Sequence, residues 1–177
     1  MLYTYWISKE FKVIGENSLI GYPMDLRGGK YITIGSHVGI GLRSILTAWD
    51  SFRGDIFTPE IYIGNNTSIG EDCHITAINK IQIGNNVLMG KKITITDNAH
   101  GKSEPEYLSI PPTKRKLHSK GPVIIEDGVW IGDKVTILSG IRIGENSIIG
   151  ANSLVTKDID ANCVFGGIPA KLIKRIE

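Results

Sequence analysis

The chain has four histidines, the side chains best suited to take up a proton near neutral pH. They stand at His37, His74, His100 and His118. His100 lies in residues 96–101, where a regular pattern of the sequence gives way to an irregular stretch. A histidine in such a place can act as a general base towards a hydroxyl or an amine. We therefore predict that His100 is catalytic; the alternative is a loop histidine that caps a turn.

Asp72 and His74 form a second candidate group. Because side chains alternate along a strand, His74 is expected to point outward, one position before an inward isoleucine. If successive repeats stack in register, His74 lies in the same groove as His100, and Asp72 lies nearby in the sequence. The alternative is an exposed corner or a subunit contact. His37 and His118 are expected at a corner and in a loop, without a chemical role.

A repeat of six residues must position these side chains. Each step begins with an aliphatic residue, usually followed by glycine, and three steps make a coil of 18 residues. Such repeats are typical of a β-helix, in which stacked coils bury one continuous core. The clearest steps begin at Ile63, Ile69, Ile83, Met89, Ile125, Ile131, Ile143 and Ile149, and weaker ones at Ile14, Ile20, Ile34 and Ile40.

The fifth residue of each step should point inward like the first, because side chains alternate. These positions are nearly all small or β-branched, as a narrow core requires. They are Thr67, Cys73, Val87, Ile93, Val129, Val135, Ser147 and Ser153. Glycine and asparagine fall where the chain must turn a corner, and both tolerate positive φ.

Two long insertions interrupt the repeat. About 11 extra residues lie within residues 47–60, and about 24 lie within residues 97–122, which carry four prolines. Long loops in compact domains are more often functional than merely connecting. We expect the second insertion to protrude as an external loop beside His100, and the two insertions to hold the binding pocket.

The chain resembles the left-handed β-helix acyltransferases of the hexapeptide-repeat superfamily, and more narrowly the maltose, galactoside and surface-polysaccharide O-acetyltransferases. The resemblance covers residues 14–177. Surface-glycan acetyltransferases show a Thr-Asp-His-x-His-Gly motif, which residues 96–101 match with His100 as the final histidine and Asn98 in place of the first. The resemblance implies an all-β, left-handed parallel β-helix with a protruding loop, and His100 as the general base. By position, Asp72 resembles an acceptor-binding residue of the galactoside enzymes, so Asp72 and His74 are expected to contact the acceptor.

The resemblance also implies acetyl-coenzyme A as the acyl donor, bound along the outside of the C-terminal coils. Residues 155–159, Val-Thr-Lys-Asp-Ile, are similar to the stretch that contacts the nucleotide end in the family, where basic side chains would meet the phosphates. Trp130 points outward, so it is expected to flank the pantetheine arm or to lie at a subunit interface. The predicted coenzyme contacts are Trp130, Asp133, Ser139, Gly140, Ala151, Thr156, Lys157, Lys171 and Arg175. For the basic residues among them, a solvated surface charge is the alternative.

The C-terminal tail, residues 163–177, is expected to contain a short helix. Pro169 can open a helix, and Leu172, Ile173 and Ile176 would then share one apolar face. Such a helix would cover the last coil, whose backbone would otherwise be unpaired.

The implied reaction moves an acetyl group from acetyl-coenzyme A to a sugar hydroxyl within a ternary complex. No covalent acyl-enzyme is expected, because neither cysteine has a paired base, and a backbone N–H at Ser139 or Gly140 would stabilise the oxyanion. A surface-polysaccharide sugar is the leading acceptor by resemblance; a simple saccharide, an antibiotic and an amino sugar stay open, with oxygen preferred over nitrogen. The family is typically trimeric with each site between two subunits, so a homotrimer is expected.

Composition favours a single cytoplasmic domain over residues 1–177. The formal net charge of +2 argues against a nucleic-acid protein with a basic face. Cys73 and Cys163 form no disulfide framework, which favours a reducing compartment. We find no signal peptide and no segment apolar enough to span a membrane, although a lipid-linked acceptor stays open.

Two other functions are compatible with this fold. A hydratase of the γ-carbonic-anhydrase kind needs three histidine ligands with two of them close together, and no two histidines here are close, so no metal is expected. A non-catalytic scaffold or glycan-binding module is the second alternative, against which His100, Thr156 and Lys157 argue. Serine acetyltransferase is disfavoured, because that enzyme usually carries a large helical N-terminal domain, whereas this chain enters the repeat by Ile14.

Overall fold

The computed structural model describes residues 2–177; Met1, which the single-domain prediction includes, lies outside the described residues. Each coil of the chain contributes one short strand to each of three parallel sheets, so the coils form a three-sided prism. The prediction of a parallel β-helix is therefore confirmed, and the three sheets are the surfaces on which a site can be built.

Residues 2–177 form one α-helix, four 3-10 turns and 24 strands. The helix is α1 (Leu2–Ile7), and the 3-10 turns span Ser8–Glu10, Gly29–Tyr31, Pro105–Tyr107 and Pro112–Lys114. The strands are β1 (Val13–Ile14), β2 (Leu19–Ile20), β3 (Asp25–Arg27), β4 (Ile32–Ile34), β5 (Gly39–Ile40), β6 (Ile45–Ala48), β7 (Ser51–Phe52), β8 (Asp55–Ile56), β9 (Glu60–Ile63), β10 (Ser68–Ile69), β11 (His74–Ala77), β12 (Lys80–Ile83), β13 (Leu88–Met89), β14 (Thr94–Thr96), β15 (Ala99–His100), β16 (Leu117–His118), β17 (Val123–Ile125), β18 (Trp130–Ile131), β19 (Thr136–Ile137), β20 (Arg142–Ile143), β21 (Ile148–Ile149), β22 (Leu154–Val155), β23 (Cys163–Gly166) and β24 (Lys171–Arg175).

Every third strand of the regular coils returns to the same sheet. Sheet A has the order β1-β4-β9-β12-β17-β20, sheet B the order β2-β5-β10-β13-β18-β21-β23-β24, and sheet C the order β3-β6-β11-β14-β19-β22. Two antiparallel pairs stand outside the prism: β7 with β8, and β15 with β16.

The core is a set of columns in which like residues stack. In sheet A the in-register pairing places Ile34, Ile63, Ile83, Ile125 and Ile143 in one column, and all five are fully buried. One coil cannot cover its own inner face, so each column depends on the coils above and below it. The predicted inward fifth positions are confirmed as well: Thr67, Cys73, Val87, Ile93, Val129, Val135, Ser147 and Ser153 are all buried.

The predicted reason for the corner residues, a positive φ, holds for the asparagines but not for the second-position glycines of the repeat. Asn66 and Asn86 adopt a positive φ of 55°, as predicted for corner asparagines. The glycines that follow the inward isoleucines do not need this freedom. Instead, a Cβ on Gly64 would stand 2.6 Å from the backbone of Gly84 in the next coil. Glycine is required there because the backbones of two coils approach closely, not because the residue adopts a positive φ.

Both predicted insertions leave the prism at the corner between sheet C and sheet A. The first forms the hairpin β7–β8, and the second forms the long loop whose two arms, β15 and β16, pair with each other. The Nζ atom of Lys116 in the loop lies 2.8 Å from Oδ1 of Asp55 in the hairpin. The two insertions therefore meet outside the prism, next to sheet C.

The N-terminal end of the prism is covered by a segment that the sequence analysis did not predict. Ile7, at the end of α1, and Phe11 are buried with the core of the first coil. The Oγ1 atom of Thr4 accepts a hydrogen bond from the N–H of Ile20 at 3.0 Å. This contact holds α1 against sheet B.

The C-terminal tail is not a helix, so that prediction is wrong. Past Gly167, whose φ is 101°, the chain reverses and β24 pairs antiparallel with β23. The last parallel strand would otherwise expose a row of unpaired backbone groups, which β24 satisfies. As a result Leu172, Ile173 and Ile176 stay exposed instead of sharing one buried face.

Candidate active site

Ser139 fixes both ends of the long loop. Its hydroxyl donates to the carbonyl oxygen of Asp97 at 2.6 Å and accepts from the N–H of Lys120 at 2.8 Å. The Asp97 side chain is fully buried, and its carboxylate accepts from the N–H groups of Ile78 and Asn79 at 2.9 and 2.8 Å. These donors replace the water that a buried carboxylate loses. The loop therefore leaves the prism at a fixed point.

Two grooves lie on either side of β15, the first arm of the loop. Because side chains alternate, Ala99 lines one groove and His100 the other. The larger one, which we name the loop groove, has a volume of about 990 Å³ and is lined by Thr96, Asn98, Ala99, residues 101–104, His118, Lys120, residues 138–141 and residues 156–158. The smaller one, which we name the aromatic groove, has a volume of about 380 Å³ and is lined by Asp25, Arg27, Ile45, Thr47, Trp49, Phe52, His74, Thr76, Asn98, His100 and Leu117.

His100 is exposed to the aromatic groove. Its ring packs edge-on against Phe52 of the hairpin, with the two ring centroids 5.7 Å apart. Within residues 2–177 no side chain or backbone group hydrogen-bonds to the imidazole. A neutral imidazole can therefore offer one nitrogen to the proton of a bound hydroxyl.

His74 lines the same groove from the face of sheet C. It lies on β11, next to the outward Thr76, and stands at the same register position as Ile45 and Thr94 in the neighbouring strands. The structure thus brings His74 and His100 together, as expected from stacked coils. A contact between His74 and an acceptor stays a prediction.

Asn98, which the sequence analysis left without a role, lines both grooves. Its Nδ2 atom donates to the carbonyl oxygen of Thr76 at 3.3 Å and to Oδ1 of Asp97 at 3.1 Å. Both partners can only accept, so they fix the orientation of the Asn98 amide. The Oδ1 atom of Asn98 then faces away from them. The sequence carried one signal for Asn98: it occupies the motif position at which surface-glycan acetyltransferases have their first histidine.

Asp72 is not brought to this site. It occupies a corner with a φ of 58°, and its carboxylate lies 2.7 Å from Nε of Arg43. The hydrogen bond from Arg43 lowers the pKa of Asp72 below its ordinary value. Within one chain this carboxylate is occupied, and it lies outside both grooves.

Four of the predicted coenzyme contacts line the loop groove: Ser139, Gly140, Thr156 and Lys157. The N–H of Gly140 already donates to the carbonyl oxygen of Gly121 at 3.1 Å, so it is not available to an oxyanion. The N–H of Ser139 finds no acceptor within the part of the chain that the structure describes. Lys157 is exposed, and among residues 2–177 no carboxylate pairs with it.

Three other predicted contacts lie on a different face. Trp130 is 51% exposed on sheet B, between Leu88 and Ile148 of the neighbouring strands. A shallow depression joins it to Asp133 and Ala151. The Asp133 carboxylate accepts a backbone N–H of the adjacent coil at 2.8 Å. One copy of the chain therefore does not bring Trp130 and the loop groove together.

The last two predicted contacts lie on β24. Lys171 and Arg175 are exposed, and neither lines the loop groove. The Nη2 atom of Arg175 lies 3.2 Å from Oδ2 of Asp160. Arg175 therefore already has an anionic partner in the chain.

Of the remaining histidines, His37 lies outside both grooves, whereas His118 lines the loop groove. His37 is a corner residue with a φ of 59°, as predicted, and Nε2 of its ring is 3.3 Å from Nδ2 of Asn17. His118 lies on the loop arm β16, opposite Ala99. Among the described residues no three histidine, cysteine or acidic side chains come together as a metal site would require.

The structure also bears on membrane crossing. No helix within residues 2–177 has both the length and the apolar character needed to cross a bilayer.

Known proteins resemble this chain over nearly its whole length. A family model described as bacterial transferase hexapeptide (six repeats) matches residues 122–157. The putative lipopolysaccharide biosynthesis O-acetyl transferase WbbJ of Escherichia coli K12 is 37% identical over 164 residues, which cover 89% of this chain and 78% of that protein. The chain belongs to the hexapeptide-repeat O-acetyltransferases. The predicted family and class of enzyme are thereby confirmed.

Solved structures of hexapeptide-repeat acetyltransferases share its fold. A maltose O-acetyltransferase from Clostridium difficile 630 is 28% identical, with a TM-score of 0.67 over 97% of this chain and 73% of that one. The acetyltransferase VCA0836 from Vibrio cholerae, solved in complex with acetyl coenzyme A, has a TM-score of 0.70 at 24% identity and covers 99% of this chain and 78% of that one. The prism is thus a left-handed β-helix, as predicted.

Proposed function

We propose that this acetyltransferase moves the acetyl group of acetyl-coenzyme A to a hydroxyl of a sugar, in the modification of a surface polysaccharide or related glycan. The observation that carries the proposal is the meeting of two grooves at Asn98, with His100 beside the meeting point. A transferase that forms no acyl-enzyme needs adjoining sites for donor and acceptor. The names of the Escherichia coli and Clostridium difficile relatives support a sugar hydroxyl as the acceptor.

The loop groove is the donor site in this proposal. It is the larger groove, and it contains Thr156 and Lys157 of the stretch that resembles the nucleotide-binding segment of the family. The ammonium group of Lys157, which pairs with no carboxylate of residues 2–177, can bind a phosphate, because charge-assisted hydrogen bonds to phosphate oxygens are strong. The thioester would then lie at the Asn98 end of the groove.

The aromatic groove is the acceptor site, with His74 and His100 on its walls. His100 takes the proton of the acceptor hydroxyl while the hydroxyl oxygen attacks the thioester carbonyl carbon. The C–S bond then breaks, and the departing thiolate takes the proton from the imidazolium. The N–H of Ser139, which has no acceptor among the described residues, is the donor that we assign to the oxyanion. Asp72 has no place in this site.

A homotrimer with shared sites explains why the predicted coenzyme contacts divide between two faces. Lys157 lies in the loop groove, whereas Trp130 lies on sheet B among exposed apolar side chains. A second copy could bring its Trp130 to the loop groove of the first. Exposed aromatic residues with apolar neighbours are common in such interfaces. We also place the enzyme in the cytoplasm, in keeping with two buried free cysteines.

The reaction is tested by release of free thiol from acetyl-coenzyme A over a panel of sugars. We expect release that depends on the acceptor, together with coenzyme binding in calorimetry that weakens in Lys157→Ala. Arg175→Ala is the matched control, since Arg175 is already paired with Asp160. An absence of coenzyme binding by the unmodified chain would contradict the proposal and favour a non-catalytic glycan-binding module.

The shared site is tested by mixing two variants, His100→Ala and Trp130→Ala, after unfolding and refolding them together. If each site takes His100 from one copy and Trp130 from another, some sites of the mixture have both side chains and activity returns. If one copy supplies both, every site in the mixture lacks one of them. Activity no higher than the mean of the two separate variants would therefore contradict the trimeric arrangement.

A further inference from the structure

Four planar groups form a continuous row along the wall of the aromatic groove. The guanidinium carbon of Arg27 lies 4.2 Å from the ring centroid of Trp49. The ring of Trp49 is 6.1 Å from that of Phe52, and the ring of Phe52 is 5.7 Å from that of His100. The row begins on sheet C, continues through the first insertion and ends at the proposed base. It is longer than one sugar ring is wide.

Arg27 differs from three arginines that lie at a corner, on β20 and on β24. Arg43, Arg142 and Arg175 each lie within 3.2 Å of a carboxylate oxygen. Among the described residues none forms an ion pair with Arg27, although its side chain lines the groove. Stacking on Trp49 holds the plane of the guanidinium and leaves the N–H groups at its edge free to bind two oxygens of one anion.

A second guanidinium stands near the same row. The guanidinium carbon of Arg53, at the tip of the hairpin, is 5.8 Å from the ring centroid of Phe52. No carboxylate within residues 2–177 pairs with Arg53 either. Among the described residues, Asp25 is the one carboxylate that lines the groove. It lies at the start of β3, two residues before Arg27 and farther from β15, where it can accept hydrogen bonds from sugar hydroxyls.

We infer that Arg27 binds an anionic group of the acceptor, a carboxylate or a phosphate, while a sugar ring of the acceptor lies against Trp49 and Phe52 and presents its hydroxyl to His100. The acceptor is then an acidic sugar: a uronic acid residue or a sugar phosphate. The aromatic rings contribute apolar contact area that suits the faces of a sugar ring. The inference rests on the proposed function, because it assigns the aromatic groove to the acceptor.

Binding of three matched sugars to the full chain tests this inference. The probes are methyl β-galactoside, methyl β-galacturonoside and galactose 6-phosphate, with dissociation constants measured by ligand-observed NMR. We expect at least one charged sugar to bind about tenfold more tightly than the neutral one, on the scale of hydrogen bonds to charged groups. Arg27→Gln should abolish that difference, so that the charged and neutral sugars bind the variant with equal affinity.

Arg43→Gln is the control variant, since it removes the same charge at a corner outside the groove. Equal affinities for all three sugars, no binding by either charged sugar, or a preference that survives Arg27→Gln would each overturn the inference. A preference confined to galacturonoside would identify a carboxylate, and one confined to the phosphate would identify a phosphate ester.

Thiol release from acetyl-coenzyme A, measured beside the binding, separates this inference from the proposed reaction. Release that depends on a sugar acceptor but shows no preference for a charged one would leave the transferase standing and remove the role of Arg27. Tight binding of a charged sugar by Arg27 without release with any acceptor would keep the subsite and contradict the transferase.

Discussion

The corners of the regular coils and the groove beside the two insertions use the same kinds of residue in opposite ways. In the coils, polar groups are paired: Arg43 holds Asp72 at 2.7 Å, and Asn65 accepts the N–H of Ser36 at 2.9 Å. Around the insertions, His100 has no hydrogen-bond partner and Arg27 has no ion pair within the described residues. In the coils, these polar groups bind neighbouring coils to each other. The insertions pair Lys116 with Asp55, but the groove beside them leaves His100 and Arg27 open, which is what binding and proton transfer require.

The largest expected effect on stability is in the coils. Ile95→Ala should lower the free energy of unfolding by about 2–5 kcal/mol, because Ile95 is fully buried between Ile75 and Ile137 and its truncation leaves a cavity. Denaturant unfolding measures the change. Leu108→Ala makes a similar truncation in the long loop, where the side chain is 81% exposed, and should leave the free energy of unfolding within about 0.5 kcal/mol of the original. Equal losses in the two variants would break the contrast.

Two asparagines, Asn98 between the grooves and Asn65 at a corner, should show effects of intermediate size. Asn98→Ala removes the amide that both grooves share, so kcat/KM should fall by roughly tenfold, the scale of one hydrogen bond to a bound group. Asn65→Ala removes a corner amide and should lower the melting temperature while leaving KM unchanged. Initial rates and thermal unfolding of both variants decide the matter. A loss of kcat/KM in Asn98→Ala that tracks its loss of stability would mean that Asn98 is only structural.

The smallest expected effect concerns the corner pair of Arg43 and Asp72. Because Arg43 lowers the pKa of Asp72, the pair contributes stability above the ordinary carboxyl pKa of about 4, and that contribution is lost as the pH falls through the lowered value. Asp72→Asn should therefore lower the melting temperature slightly at pH 7, and the difference should close in strong acid. A difference that stays constant down to pH 2 would show that the charge of Asp72 is not its cause. Acetyl transfer should be unchanged in this variant.

The coils could be predicted from the sequence because their order is periodic. The stacking of Ile143 on Ile125 follows directly from the six-residue spacing, because one uninterrupted coil of 18 residues separates them. The reason for Gly64 could not be read in this way, because it depends on the distance to the backbone of the next coil. The tail was misread because the spacing of its apolar residues fits a helix, whereas the open edge of β23 favours a strand.

The site was predicted only in part, for a related reason. His74 and His100 lie in one groove because register is a property of the repeat. Trp130 and Lys157 were expected at one ligand, but within one chain they lie on different faces of the three-sided prism. The row from Arg27 to His100 crosses an insertion that has no period, so no pattern in the sequence relates those residues.

The most direct test of the account is kcat/KM for acceptor-dependent acetyl transfer in His100→Ala and His37→Ala. His37 is the matched control, because it lies at a corner outside both grooves. The account predicts a loss of about two to four orders of magnitude for His100→Ala, the usual scale for a general base, with an unchanged melting temperature and nearly full activity for His37→Ala. Activity that persists in His100→Ala would contradict it and leave the long loop without its assigned chemistry.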